Sequence, residues 1–195
     1  MNALEAIGAR TSVRAFRYQT LDDGLLLRLL EAAVRAPSAF DEQPWEFVVV
    51  EDRVTLRRIS ETALEAWRHE TPPRPPHRAA GLPERDGRAE GIWKPDFDLL
   101  YGAPALVVVG ARRRGGFVEG ACWMAAENLL VAATSVGLGG CVVGSILDTL
   151  RTPEIRALIN APAPFEPIVP IILGVPKEPP HPTPRRPPEI VAWRK

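Results

Sequence analysis

The chain has 195 residues, of which 46% are hydrophobic, enough for the core of one domain, or of one domain with an extension. Its 24 Lys and Arg residues balance 24 Asp and Glu residues, and the resulting zero net charge argues against a general nucleic-acid binder. Two cysteines, Cys122 and Cys141, are too few for a disulfide framework or a metal cluster, so we expect buried free thiols and no metal.

The N-terminal residues predict a short helix followed by an extended segment. Residues 2–8 fit the helix, and the next residues alternate in character. We call residues 10–16 the 10–16 segment. If it is extended, a period of two puts Arg10, Ser12 and Arg14 on one face. The chain start lacks the basic and apolar regions of a secretory signal, so we expect a cytoplasmic protein.

A second helix and a buried strand follow. Thr20 is expected to cap the helix with Asp23 as its capping-box partner, and the helix should end near Ala36, before a proline. Residues 45–50 form an apolar run typical of a buried strand, and a further helix should begin after Asp52.

Residues 71–95 differ in composition from the rest of the chain. They are rich in Pro, Arg and Glu and have few apolar anchors. Two interpretations stay open for this stretch: a lid that covers a substrate, or a disordered linker.

The second half predicts strands over 104–111 and 168–175, a helix over 117–136, and a helix capped by Thr152. The stretch 117–138 is apolar enough to suggest a membrane span, but Glu119, Glu127 and Asn128 are costly in hydrocarbon. We therefore expect a helix buried on all sides in a protein without membrane contact, as at a subunit interface. Residues 176–195 are proline-dense and basic, which predicts an extended tail that reaches a partner subunit.

Three stretches carry residues suited to ligand binding. Arg10 and Ser12 could hold a phosphate through a guanidinium fork and a hydroxyl, although a solvated basic edge is the alternative. We call residues 37–43 the 37–43 loop; it begins with Pro37 and is followed by Pro44, and both prolines stiffen it. Its Ser38, Asp41 and Gln43 offer donors and acceptors suited to the edge of a flat ring. Trp45 after them fits either core packing or a pocket wall.

The third stretch is glycine-rich and runs from 137 to 145. Its glycines let backbone approach a flat ligand, while the alternative, a helix C-cap and turn, accounts for Gly137 and Gly139 but leaves Gly140 and Gly144 unexplained. The stretch is not a GxGxxG fingerprint, and HExxH, CxxC, GxSxG and P-loop patterns do not occur in the sequence.

Four segments, taken in order, resemble the FMN-dependent nitroreductase family. They are RTSVRAF at 10–16, APSAFDEQPW at 36–45, GLGGCVVGSI at 137–146, and IVPIILGVP at 168–176 followed by Arg185, Arg186 and Pro187. The resemblance implies a single α+β domain over 1–195, with a central, mainly antiparallel sheet flanked by helices. It also implies an intertwined homodimer with two FMN molecules at the interface.

The resemblance also implies roles for individual residues. Arg10 and Ser12, with Thr11 between them, should meet the FMN phosphate and ribityl end, where Arg185 should also arrive. Arg14 should lie near the N1/O2 edge of the ring. The facing subunit should supply Pro37, Ser38, Asp41 and Gln43. The ring near N5 should be lined by Val142, Val143, Gly144 and Ser145. Asp41 is a departure, because the family usually has Asn there.

The implied activity is hydride transfer from NAD(P)H to FMN and on to nitroaromatic, quinone or related small-molecule acceptors by a ping-pong mechanism. The flavin would carry the chemistry, so no side chain is expected to be catalytic. Two alternatives stay open. One is a flavoenzyme of the same fold with another reaction, such as dehalogenation, dehydrogenation or flavin breakdown. The other is a flavin-binding or interaction protein without turnover.

Overall fold

The computed structural model describes residues 1–70, 94 and 96–195, so the predicted lid at 71–95 lies almost wholly outside the described residues. In chain order the elements are α1 (Ala3–Ala9), α2 (Asp23–Ala33), β1 (Trp45–Val50), α3 (Arg53–Glu70), β2 (Ala105–Ala111), α4 (Gly116–Ser135), β3 (Gly139–Val142), α5 (Leu147–Arg151), α6 (Pro153–Leu158) and β4 (Glu166–Gly174). Short 3-10 turns occur at Ala39–Asp41 and Gly144–Ile146. The predicted α+β class is confirmed.

The four strands form one sheet in the order β1-β2-β4-β3, and every neighbouring pair is antiparallel. The central strands β2 and β4 are buried along almost their whole length, which explains why they read as continuous apolar runs. Helices α2 and α4 cover one face of the sheet, and α3, α5 and α6 cover the other. Cys122 and Cys141 are buried free thiols, as predicted.

The helix starts follow their capping side chains. Asp22, not Thr20, caps α2, because its carboxylate accepts a hydrogen bond from the backbone N–H of Leu25 at 2.9 Å. The prediction of a Thr20 cap is therefore wrong, and α2 also ends three residues before Ala36. The prediction for Thr152 is confirmed, since its hydroxyl accepts from the N–H of Ile155 at 3.4 Å.

Helix α4 lies on the sheet with one face only. The prediction of a helix buried on all sides is wrong for the single chain, because Phe117, Trp123 and Met124 are 76%, 50% and 42% exposed. The outer face carries these apolar side chains together with Glu127, and no helix or strand in the described part of the chain covers it. Among the described helices, none combines the length and hydropathy required to cross a bilayer.

Strand β3 was not predicted, because it begins with two glycines, and glycine is uncommon in strands. Gly137, with a φ of 82°, ends the preceding helix as expected. Gly139 is required for a different reason: a Cβ there would lie 2.5 Å from Cγ2 of Val13. The 10–16 segment thus packs directly on the backbone of β3.

Candidate functional site

The 10–16 segment lies along the free edge of β3. The backbone N–H of Val13 donates to the carbonyl of Gly140 at 3.0 Å, and Ser12 forms an isolated parallel bridge with the same glycine. Phe16 forms a second bridge, with Pro176. These single bridges, rather than a continuous ladder of hydrogen bonds, hold the segment at the edge of the sheet. Its backbone therefore lies beside β3 without forming a fifth strand.

The C-terminal tail returns along the same segment of its own chain. Lys177 donates its backbone N–H to the carbonyl of Ala15 at 2.9 Å, and the hydroxyls of Thr11 and Thr183 are hydrogen-bonded at 2.8 Å. The tail therefore runs antiparallel to the 10–16 segment. Arg185 follows two residues after Thr183, so a tail that continues in this direction would bring it toward the level of Arg10.

Arg10 lies where α1 ends, and its side chain is only 20% exposed. Its Nε lies 3.1 Å from Oε1 of Glu127 on α4, which is the one ion pair that it makes among the described residues. Arg14 is half-buried and forms no ion pair within this same part of the chain. Two arginines with unpaired donors near one strand edge form a favourable place for an anion.

The turn that follows β3 presents backbone rather than side chains. Val143 is buried in the core on the α3 face, and Val142 packs against the core on the opposite face. Gly144 and Ser145 are exposed, and a Cβ on Gly144 would meet no atom within 4 Å. This turn leaves open space into which a flat ligand could approach the chain closely.

The 37–43 loop has a strained backbone that is stabilised by its own polar groups. Phe40, Asp41 and Gln43 have φ values of 56°, 53° and 46°, in the left-handed region that side chains rarely adopt. The hydroxyl of Ser38 accepts from the N–H of Gln43 at 2.9 Å. The amide Nε2 of Gln43 donates to Oδ1 of Asp41 at 2.9 Å. The loop is therefore ordered before any ligand binds.

Two features of this loop were not found from the sequence. Phe40 is 97% exposed, an unusual state for an aromatic side chain in a strained loop. Glu42 forms an ion pair with Arg113, which follows the end of β2. The available sequence signal was the run of three arginines after β2, which indicates a cluster of ion pairs. In the structure each arginine pairs with a glutamate of a different segment: Arg112 with Glu46, Arg113 with Glu42 and Arg114 with Glu119.

Within one protomer the 37–43 loop and the 10–16 segment lie at opposite corners of the sheet. The loop enters β1 at Trp45, at the end of the sheet where β4 begins with Glu166. The 10–16 segment meets β3 near the other end of β4, at Gly174, and β3 is the opposite edge strand. Three strand spacings and the length of β4 separate them by roughly 30 Å. One protomer cannot bring both groups to one small ligand.

Other chemistry finds little support in the described residues. Burial raises the pKa of the Cys122 thiol to about 11, with the charge of Glu119 adding to the effect, so the reactive thiolate is scarce at neutral pH. No group of three His, Cys, Asp or Glu residues with metal-binding geometry occurs within this part of the chain. A cleft of about 1160 Å³ lies between α3 and residues 96–104, and none of the predicted site residues lines it. Trp45 is buried in the core, which supports the core-packing alternative.

Comparison with known proteins identifies the family to which this chain belongs. Residues 7–175 match the model of the nitroreductase family. The chain belongs to the nitroreductase family. The family predicted from the four sequence segments is thus confirmed, while the roles of the individual site residues stay predictions.

Two curated relatives and one solved structure illustrate the range of this family. An NADH dehydrogenase of Thermus thermophilus is 30% identical over 203 aligned residues, which cover 100% of this chain and 97% of the relative. An iodotyrosine deiodinase of Thermotoga neapolitana is 29% identical over 181 residues, covering 90% and 89%. A nitroreductase of Bacteroides fragilis with bound FMN is 25% identical, with a TM-score of 0.77 and coverage of 100% and 98%.

Proposed function

We propose that this nitroreductase-family protein is an FMN-dependent oxidoreductase that takes hydride from NAD(P)H and passes it to nitroaromatic, quinone or related acceptors. Family membership, the relative named NADH dehydrogenase and the neighbour with bound FMN support the proposal. The observation that carries it is the convergence of the 10–16 segment, the turn after β3 and the C-terminal tail at one edge of the sheet.

The residues at this edge fit FMN by their chemistry. Arg10 retains unpaired guanidinium donors for a phosphate, and the tail brings Arg185 toward the same end of the segment. Gly144 leaves room for a flat ring against the backbone. When bound, FMN supplies the hydride-transfer chemistry at N5 of its ring.

The protein's own contribution is to bind and orient. Arg14 would stabilise negative charge at the N1/O2 edge of the ring, and Asp41 and Gln43 would bond the pyrimidine edge. The backbone of Val142 and Val143 and the space beside Gly144 and Ser145 would position the hydride donor and then the acceptor. Because the same pocket would serve both molecules in turn, we expect ping-pong kinetics and no side chain acting as acid or base.

The proposed site requires a homodimer. The 37–43 loop and the 10–16 segment are too far apart in one protomer to share a ligand, but a second protomer can supply the loop. The apolar outer face of α4, with Phe117 and Trp123, and the exposed Leu4 and Ile7 of α1 offer the surface for such contact. The final residues of the tail would extend over the partner.

Subunit mixing tests this arrangement directly. Arg10→Ala and Gln43→Ala subunits, each expected to bind FMN weakly as homodimers, are co-expressed with different tags and the heterodimer is purified. If each site combines both subunits, the heterodimer has one intact site and one doubly altered site, so it retains one tightly bound FMN. A heterodimer with no tightly bound FMN would mean that both groups act within one subunit.

A second reaction deserves the same assay, because the Thermotoga neapolitana relative at 29% identity is named an iodotyrosine deiodinase. Reductive removal of halogen from an aromatic ring is the corresponding proposal for this chain. The acceptor panel should therefore contain a nitroaromatic, a quinone and iodotyrosine. The acceptor that reoxidises the reduced protein fastest identifies the reaction class.

The primary test is anaerobic stopped-flow reduction of the FMN-loaded protein. Loss of the flavin absorbance after mixing with NADH or NADPH is the expected outcome, and the faster of the two nicotinamides is the preferred donor. An FMN-loaded protein that neither nicotinamide reduces would be a flavin-binding protein without turnover. Failure to bind FMN at all would refute both interpretations.

A further inference from the structure

Arg10 and Glu127 form an ion pair that connects the predicted phosphate site to the longest helix on the same face of the sheet. Arg10 Nε lies 3.1 Å from Glu127 Oε1. The arginine side chain is 20% exposed and the glutamate side chain 55% exposed. The cation is therefore mostly enclosed, while its partner carboxylate remains in contact with solvent.

The geometry of this pair leaves most of the guanidinium available. An arginine has five N–H donors in a rigid planar fork, and Glu127 lies at the Nε side of that fork, with its Oε1 3.1 Å from Nε. Glu127 is the one acidic side chain that pairs with Arg10 among the described residues, and no described hydrogen bond uses the Nη donors. The Nη donors can therefore bind two oxygens of one phosphate while the glutamate stays paired at the Nε side.

We infer that Glu127 is a positioning residue, which fixes the rotation of the Arg10 guanidinium so that its Nη atoms face the FMN phosphate. This inference rests on the proposed FMN site. An arginine that is already oriented loses less side-chain freedom when the phosphate binds. No pairing of Glu127 with the ligand itself is required.

An opposing effect must be weighed against this gain. The carboxylate of Glu127 also repels a phosphate dianion, which would weaken FMN binding. The phosphate bound by the Nη donors would lie on another side of the guanidinium, so this repulsion acts over a longer distance than the 3.1 Å contact between Glu127 and Nε. We therefore expect the positioning effect to be larger, so that loss of Glu127 weakens FMN binding.

The test compares FMN with riboflavin, which has the same ring but no phosphate. Flavin-free full-length protein is titrated with each ligand, and quenching of flavin fluorescence gives the affinity. Glu127→Ala should weaken FMN binding about tenfold and leave riboflavin binding unchanged. Glu127→Gln, whose amide oxygen can occupy the same place beside Nε, should retain most of the FMN affinity. Glu154→Ala is the control, because Glu154 pairs with Arg58 at 2.8 Å at a similar exposure.

A double variant makes the test independent of any change in folding. If Glu127 acts only through Arg10, Glu127→Ala should cause no further loss of FMN affinity in an Arg10→Ala background. Thermal unfolding and sedimentation of each variant check that the fold and the oligomeric state are unchanged.

Each outcome bears on a separate conclusion. Unchanged or tighter FMN binding by Glu127→Ala, or an equal loss for riboflavin, would overturn the positioning role. A further loss in the Arg10→Ala background would overturn it as well. If the unaltered protein binds neither flavin, the proposed function itself fails.

Discussion

The hydroxyls of Thr11 and Thr183 lie 2.8 Å apart and join parts of the chain that are 172 residues apart in sequence. This contact, together with the bond from Lys177 N–H to Ala15 O, aligns the tail antiparallel to the 10–16 segment. The alignment brings the basic residues of the tail to the end of the chain that carries Arg10. An anion bound there would be held from both termini.

Arg185 and its neighbour Arg186 should therefore differ in their effect on FMN binding. In an extended tail, successive side chains point to opposite sides, so only one of the two can face the site. Arg185→Ala should weaken FMN binding about tenfold, whereas Arg186→Ala should leave it unchanged. Fluorescence titration of both variants is the measurement. Equal losses would indicate that the tail contributes a diffuse positive charge instead of a directed contact.

The sequence predicted the elements whose patterns depend on local chemistry. The apolar run of 45–50 predicted β1 with the bounds observed, and Pro153 after Thr152 located the start of α6. The helix start at Thr20 was misplaced, because Thr20 and Asp22 are both good capping residues and only the path of the chain decides between them.

The site was predicted in its composition but not in its supporting contacts. Strand β3 was missed because the two glycines that open it reflect close contacts with Val13, Leu130 and Leu173, which are distant in sequence. The pairs Glu42–Arg113 and Arg10–Glu127 likewise join residues whose proximity depends on the tertiary fold. Local periodicity carries no information about such pairs.

Substitution of Gly139 should lower stability, whereas substitution of Gly144 should weaken FMN binding. A Cβ on Gly139 would lie 2.5 Å from Val13 Cγ2, so Gly139→Ala should lower the free energy of unfolding by about 1–3 kcal/mol. A Cβ on Gly144 meets no atom within 4 Å, so Gly144→Val should leave stability unchanged but weaken FMN binding by filling the space beside the turn. Urea unfolding and FMN titration separate the two effects. Equal FMN affinity in Gly144→Val would place the flavin elsewhere.

Asp41→Asn should raise the midpoint potential of the bound flavin. A carboxylate near the N1/O2 edge opposes the negative charge that develops on reduction, and an amide removes this opposition. Asn also tolerates the φ of 53° found at this position, so the loop should keep its shape. A change of ~1.4 kcal/mol corresponds to about 30 mV for a two-electron couple. An anaerobic redox titration that shows no change or a fall would contradict the prediction, and Glu154→Gln serves as the control.

Cys122 should resist alkylation in the native protein. Burial raises the pKa of its thiol to about 11, so at pH 8 about one molecule in a thousand carries the reactive thiolate. Treatment with iodoacetamide at pH 8 should add no mass to Cys122 until the protein is denatured, when both cysteines should react. A peptide map that shows rapid modification of Cys122 in the folded protein would mean that the core around it opens readily.

Arg113 should support the 37–43 loop in a way that Arg114 does not. The loop contains three residues with positive φ, and Glu42, which lies between two of them, is tied to Arg113 beyond the end of β2. Arg114 is a matched control because it pairs with Glu119, on helix α4, at 2.8 Å. Every side chain of the two pairs is at least one third exposed and each pair is worth roughly 0.2–1 kcal/mol, so neither Arg113→Ala nor Arg114→Ala should change the melting temperature appreciably.

The difference should emerge in FMN binding, because a less constrained loop loses more freedom when it contacts the ring. Arg113→Ala should weaken FMN binding by about two- to fivefold, and Arg114→Ala should not. Exchanging the charges, with Glu42→Arg and Arg113→Glu in one protein, should restore the affinity because the pair is re-formed in reverse. If the exchange fails to restore it while the fold is intact, Arg113 acts through its own position rather than through Glu42.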